Sequence, residues 1–132
     1  MDLSVNSLEI SAKKSVYSLL SKWNFNQTPY PFPDNMFDGV TCISALTYCT
    51  ELPEVFAEWT RITKPGAVIV VSHRDDDMVK DHVHFDRMEA TAKWRKLRHV
   101  KGQPFLPKNS NYGSDILVEY YAAKNIKKVS RL

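Results

Sequence analysis

The stretch that decides the fold is Tyr30–Arg74, YPFPDNMFDGVTCISALTYCTELPEVFAEWTRITKPGAVIVVSHR. It opens with prolines and a Pro33-Asp34-Asn35 step, the chemistry of a tight turn. The run Gly39–Tyr48 carries no charge and is rich in β-branched and aromatic residues, which predicts a strand covered on both faces. Thr50 can cap a helix with Glu51 and Glu54 in its first turn, where the helix dipole favours acids. Leu52, Val55, Phe56, Trp59 and Ile62 recur at helical spacing, so one face is apolar while Glu58 and Arg61 lie off it. Pro65-Gly66 is a helix stop. Ala67–Val71 is a second continuous apolar run, too short for another helix. A strand, a crossover helix and a second strand parallel to the first is the economical reading.

Composition bounds the rest. The chain has 132 residues, 43% of them hydrophobic and 25% charged, as in one ordinary globular domain. Its net charge of +3 is uneven: residues 1–72 hold five Lys/Arg against seven Asp/Glu, and residues 73–132 hold thirteen against eight. A solvated basic face is the ordinary explanation, and nucleic-acid binding would need a matching motif. Cys42 and Cys49 have neither metal-ligand nor redox spacing, so reduced thiols in the cytoplasm or nucleus are expected. No apolar stretch approaches a membrane span, and the N-terminus lacks the order of a signal peptide.

The turn at Pro31–Asp38 and the segment Arg61–Ser72 together resemble the core of class I S-adenosylmethionine-dependent methyltransferases. In that family a PFPDNxFD-type turn precedes the fourth strand, and an RxxKPGxxxxxS-type segment joins a helix to the fifth. Lys14-Ser15-Val16-Tyr17 is similar to a step in the small methyltransferase-like proteins of the Williams-Beuren-region type. The resemblance implies an α/β, Rossmann-like class I methyltransferase fold: a mostly parallel sheet with flanking helices, here lacking the first strand and the Gly-rich loop. The four glycines, Gly39, Gly66, Gly102 and Gly113, include no pair spaced to cradle a ligand. A partial, N-terminally truncated domain over 1–123 with a mobile basic tail at 124–132 is therefore expected, in which the neighbouring strands close ranks, another chain fills the gap, or the chain is a fragment of a longer product.

The same resemblance implies S-adenosyl-L-methionine as cofactor and assigns candidate residues. Asp2, in a Met1-Asp2-Leu3-Ser4 opening similar to the end of the family's second strand, would accept from the ribose hydroxyls; a frayed terminus is the alternative. Ser4 can cap a helix reaching about Lys14, and Leu19–Trp23 would be the third strand. Asn24 falls where the family has an Asp at the adenine amino group, although counting back from Pro31 selects Asn26. Phe25, with Trp23, could cover the adenine face, or both could simply be core. Ser44, Ala45 and Leu46 would line the cofactor at a strand's carboxyl end, with Thr47, Tyr48 and Arg74 facing a small-molecule acceptor. The bland alternative is that they merely end a strand.

His73 is the one candidate general base, against a capping or solvent-facing role. His82, His84 and Asp86 form an H-x-H-x-D string that binds metal only if extended. Asp81 to about Val100 reads as a basic helix, Gly102–Ser114 as a long loop and Ile116–Ala123 as a final strand. Three functions compete: methyl transfer to a small-molecule acceptor, a catalytically inactive remnant acting as a binding or regulatory protein, and nucleic-acid binding through Lys93, Arg95, Lys96, Arg98 and Lys101, which ranks last.

Overall fold

The apolar run at Ala67–Val71 becomes the interior of the sheet. The computed structural model describes residues 1–112 and 115–129. In chain order these form α1 (Val5–Lys13), β1 (Phe37–Cys42), a 3-10 turn (Leu46–Tyr48), α2 (Leu52–Ile62), β2 (Thr63–Arg74), α3 (Asp75–Ala90), β3 (Trp94–Pro104) and β4 (Leu117–Asn125). The strand order is β1-β2-β4-β3. β1 and β2 run parallel, from Gly39 opposite Val68 to Cys42 opposite Val71, so the expected strand–helix–strand unit is present. β4 is antiparallel to both β2 and β3, which makes the described sheet mixed rather than mostly parallel. No helix among the described residues is long and apolar enough to cross a membrane.

The stripe on α2 is buried as its spacing requires. Phe56 sits at its centre, with ring centroids 4.8 Å from Trp94, 4.9 Å from Phe85 and 5.4 Å from Trp59. Ile69 and Val71 of β2 close this core from below. The close approach of β1 to β2 requires glycine at one point, since a Cβ on Gly39 would lie 2.8 Å from the Val68 carbonyl oxygen.

Several expectations are corrected. The strand expected over Gly39–Tyr48 ends at Cys42, because Ser44 turns the backbone into the left-handed region at φ 59° and Leu46–Tyr48 coils. It is also half exposed, since β1 is hydrogen-bonded to β2 alone among the described residues. Thr50 does not cap α2: its amide is held by Asn26 Oδ1 at 2.9 Å, and the helix starts after Glu51, which makes no capping bond. The helix ends before Pro65-Gly66, at Ile62, where the Thr63 hydroxyl donates to the Trp59 carbonyl at 2.6 Å and the chain is already extended. Ser4 does cap α1, accepting from the Ser7 amide at 3.1 Å. Among the described residues Leu19–Trp23 forms no full strand and pairs through a parallel bridge between Asp2 and Lys22.

The helix expected from Asp81 to Val100 is two elements. Asp75–Asp77 already form the first turn of α3, where the dipole favours acids, and Ala92 at φ 54° reverses the chain into β3. Trp94 drives this reversal: it is buried, and its indole N–H donates to Thr60 Oγ1 at 2.9 Å. At the other end, β4 continues through Lys124 to Asn125, whose buried carboxamide donates to Thr60 O at 3.0 Å and Thr63 Oγ1 at 2.9 Å. Lys127 Nζ then donates to Thr60 O at 2.6 Å and Arg61 O at 2.9 Å, a cation on the carbonyl end of α2. The segment from Lys124 is thus tied down as far as Lys127, while residues 130–132, like Gly113 and Ser114 of the expected loop, lie outside the described residues.

Arg61 and Glu58 also depart from a purely solvated reading. Arg61 donates to Glu58 (2.7 Å from Nε and from Nη2), Phe32 O (2.8 Å), Asp34 (2.9 Å) and Tyr30 O (3.2 Å). Glu58 in turn accepts from the Tyr30 amide at 2.6 Å. Replacing Arg61 with alanine strands the shielded Glu58 carboxylate and should cost about 2–4 kcal/mol in denaturant unfolding, with lysine recovering only part because it cannot form the fork. The Arg61 hydrogen bonds hold the Glu58 carboxyl below its usual range. A depressed carboxylate contributes stability above its unfolded pKa and loses it as pH falls through the folded one. Glu58→Gln should therefore lower stability at neutral pH and flatten the acid limb of a stability–pH curve.

Candidate functional site

The carboxyl ends of β1 and β2 are fastened together just beyond their pairing, where the Ser44 amide donates to Ser72 Oγ at 2.8 Å. From there the chain coils through Leu46, a core residue that anchors the 3-10 turn and leaves Thr47 and Tyr48 outside. Thr47 Oγ1 donates to Asp77 Oδ2 of α3 at 2.6 Å, and this bond holds the Asp77 carboxyl below its usual range. Asn26 clips the loop before the turn to the loop after it, donating to Tyr48 O at 3.0 Å and accepting from the Thr50 amide. Both ends of its carboxamide are thereby engaged.

Two concavities flank Ser44-Ala45. A groove of about 510 Å³ runs along the outer edge of β1, bordered by Gly39, Val40 and Cys42 on one side and by Met1, Asp2 and Leu19 on the other. A smaller cavity of about 300 Å³ lies at the ends of β1 and β2. Of the residues singled out in the sequence, Asp2, Phe25 and Ala45 border the groove, while Ser44, Thr47, Tyr48, His73 and Arg74 border the cavity. Asn24 borders neither; its Oδ1 accepts the Asn26 amide at 3.0 Å in a local turn. Leu46 borders neither, being packed inward. Burial pushes the Cys42 thiol up to about 11, and Cys49 likewise, so both stay neutral at physiological pH.

Asp2 is held in place by an exchange with the neighbouring segment: its amide donates to Ser21 O at 3.0 Å, and its carbonyl accepts from the Trp23 amide at 3.1 Å. One carboxylate oxygen takes the Ser4 amide at 2.8 Å. Arg74 is occupied by Asp76, with a two-point contact at 2.9 and 2.6 Å. His82 pairs with Asp86 along α3 at 3.1 Å, and the H-x-H-x-D string lies on a helix, where residues two apart diverge.

Residues 1–71 match the family model described as "Methyltransferase domain". The chain belongs to the class I S-adenosylmethionine-dependent methyltransferase family. It is 37% identical over 71 residues to a demethylmenaquinone methyltransferase of Bacillus licheniformis, a match covering 53% of this chain and 31% of that protein. It is 28% identical over 106 residues to methyltransferase-like protein 27 of Homo sapiens, covering 74% of this chain and 41% of that one. The chain spans less than half the length of these curated relatives. In fold it is similar to a SAM-dependent methyltransferase from Methanosarcina mazei, with TM-score 0.69 at 12% identity over 96% of this chain and 81% of the other. The N-methyltransferase NodS from Bradyrhizobium japonicum, solved with S-adenosyl-L-homocysteine, gives 0.68 at 13% identity, covering 96% and 65%.

Sequence reasoning missed the far walls of the smaller cavity. Phe105, Tyr112 and Ile116 reach it from the loop after β3 and Val118 from β4, elements whose approach depends on the turn at Ala92. It also missed Asp81, which lies 2.8 Å from His73. The signal was available, since an acidic run beginning a helix would place Asp81 two turns in. Truncating Asn26 to alanine should loosen the joint between the two loops by about 1 kcal/mol and speed amide exchange at Thr50, measured against Val55 inside α2.

Proposed function

We propose that this chain carries S-adenosyl-L-methionine-dependent methyl transfer to a small-molecule acceptor, with the cofactor in the groove and the acceptor in the cavity. The observation that supports this most directly is their junction: adjacent residues Ser44 and Ala45 face the two concavities at the carboxyl ends of a parallel pair, the place where open α/β sheets bind ligands. Asp2 suits a ribose diol, because its carboxylate has lone pairs to spare beyond the one given to Ser4. Phe25 borders the same groove and offers an aromatic face to a base. Asn24, Ser44 and Leu46 remain part of the proposed cofactor region through the backbone that carries them.

Bound there, the cofactor would supply an already activated methyl group. The chain's residues then have to orient the acceptor and exclude water rather than perform heavy acid–base chemistry. Thr47, Tyr48 and Arg74 form the acceptor side. The outer edge of β1 keeps backbone groups that an extended segment of a second polypeptide can pair with, which would complete the groove opposite Asp2. Neutral thiols at Cys42 and Cys49 suit a reducing cytoplasm.

A second reading, a catalytically silent member that acts by binding, is favoured by that open edge and by amides rather than a carboxylate at positions 24 and 26. Calorimetric titration of the folded 132-residue chain with S-adenosyl-L-homocysteine separates the two. Saturable binding that weakens about tenfold in Asp2→Ala, the scale of losing a hydrogen bond to a charged group, supports the first. Absence of binding in a chain with a cooperative thermal transition overturns it.

A further inference from the structure

The core lies against one face of the sheet. α2 and α3 pack on the side that carries Ile69, Val71, Trp94, Tyr121 and Ala123, and α1 buries none of its residues. Side chains alternate along a strand, so the register gathers a second set on the opposite face. Val68 and Val70 of β2 stand there beside Lys124, Ala122 and Tyr120 of β4, which in turn stand beside Arg95, Arg98 and Val100 of β3. Val68 is 39% exposed and Tyr120 40%.

This face has an aliphatic middle and a cationic border. The middle leads into a concavity of about 250 Å³ bounded by Val70, Val100, Gln103, Tyr120 and Ala122. On the border Arg95 lies directly opposite Lys124, and Arg98 follows opposite Ala122. The lysine stem stays over the sheet, since a Cβ on Gly66 would lie 3.8 Å from Lys124 Cε. Like charges directly opposite one another on adjacent strands are destabilising. Arg61, Lys64, Arg74, Lys80 and Lys96 each have a carboxylate partner, whereas Arg95, Arg98 and Lys124 have no ion pair among the described residues.

We propose that this face docks an amphipathic α-helix of a partner polypeptide, which places one large apolar side chain in the concavity and Asp or Glu along the flank that meets Arg95, Arg98 and Lys124. Four strands spaced about 4.8 Å apart make a surface roughly 14 Å wide. A helix with its side chains is about 10–12 Å across, so one helix covers the aliphatic middle and reaches the border. A second copy of this chain fits poorly, because stacking two such faces brings both sets of cations together. A single-stranded nucleic acid would meet the cations but only one aromatic ring on which to stack, Tyr120. Ser72, opposite Tyr120, borders the smaller cavity, so the docked helix lies beside it.

The full chain is titrated with three labelled synthetic peptides of about fifteen residues. The first has Leu at helical spacing, Phe at its centre and Glu along one flank; the second has Lys in place of Glu; the third scrambles the first. Fluorescence anisotropy is expected to show saturable binding of the acidic helix, about tenfold tighter than either of the others and weakening as salt rises. Arg98→Glu, at an exposed position, should reverse the preference between the acidic and basic helices. Tyr120→Ser should weaken the acidic helix about tenfold, and a cooperative thermal transition in each variant shows that the fold is kept. Absence of binding, equal affinity for the two flanks, or a preference that survives Arg98→Glu overturns the proposal. So does a dimer in sedimentation that Tyr120→Ser dissolves, or an oligothymidylate bound more tightly than the acidic helix.

Discussion

A single guanidinium joins the parts of this chain that a reader of the sequence sees as separate motifs. Arg61, near the end of α2, reaches back across the turn at Tyr30–Asp34 and holds it by two carbonyls and a carboxylate, while Glu58 one turn earlier takes the Tyr30 amide. The Asn35 amide completes the tie by donating to the Arg61 carbonyl at 3.0 Å. The turn sets where β1 begins and α2 sets where β2 begins, so this knot fixes the register of the parallel pair. Moving it would separate Ser44 from Ser72, and with that the two concavities would lose their common wall.

The legible parts of the fold were those in which the local pattern and the tertiary environment agree. α2 has an apolar stripe with one side to cover, and its periodicity stated its burial; β2 is an apolar run whose Ala67, Ile69 and Val71 are buried on the helix side while Val68 on the other face is exposed. β1 carries the same kind of run but lies at an edge of the described sheet, and its pattern overstates its burial. The segment 91–104 fails for a different reason. Thr91-Ala92-Lys93 contains neither glycine nor proline, so nothing local announces the reversal; the cause is long-range, in the site for Trp94 beside Phe56 and Thr60 and in the open edge of β4. Asn125 shows the same effect, a polar residue among basics that is buried because the carbonyls at the end of α2 need a donor.

The candidate site was legible to the extent that it lies on the parallel unit. Ala45, Thr47, Tyr48 and His73 follow directly from where two strands end, and a strand end is visible in sequence even when its last residue is misjudged. Asn24 and Leu46 were harder because they depend on side-chain direction. A left-handed residue at Ser44 and a 3-10 turn after it rotate Leu46 into the core and Thr47 out toward α3, and neither conformation is written in a run that otherwise reads as continuous strand. Asp81 meets His73 because α3 starts six residues earlier than its apolar pattern suggests, the acids of its first turn being stabilised by the dipole rather than by burial.

Electrostatics at the start of α3 bear on what the cavity can hold. A helix N-terminus at a strand end would ordinarily attract an anion, but here the chain supplies its own: Asp75, Asp76 and Asp77 occupy the first turn. Asp76 takes up Arg74, and Asp77 takes up the Thr47 hydroxyl and Lys80. The positive potential that the backbone and Arg74 would offer is thus neutralised inside the protein. His73, shielded from solvent, is held by Asp81 of the same helix, α3.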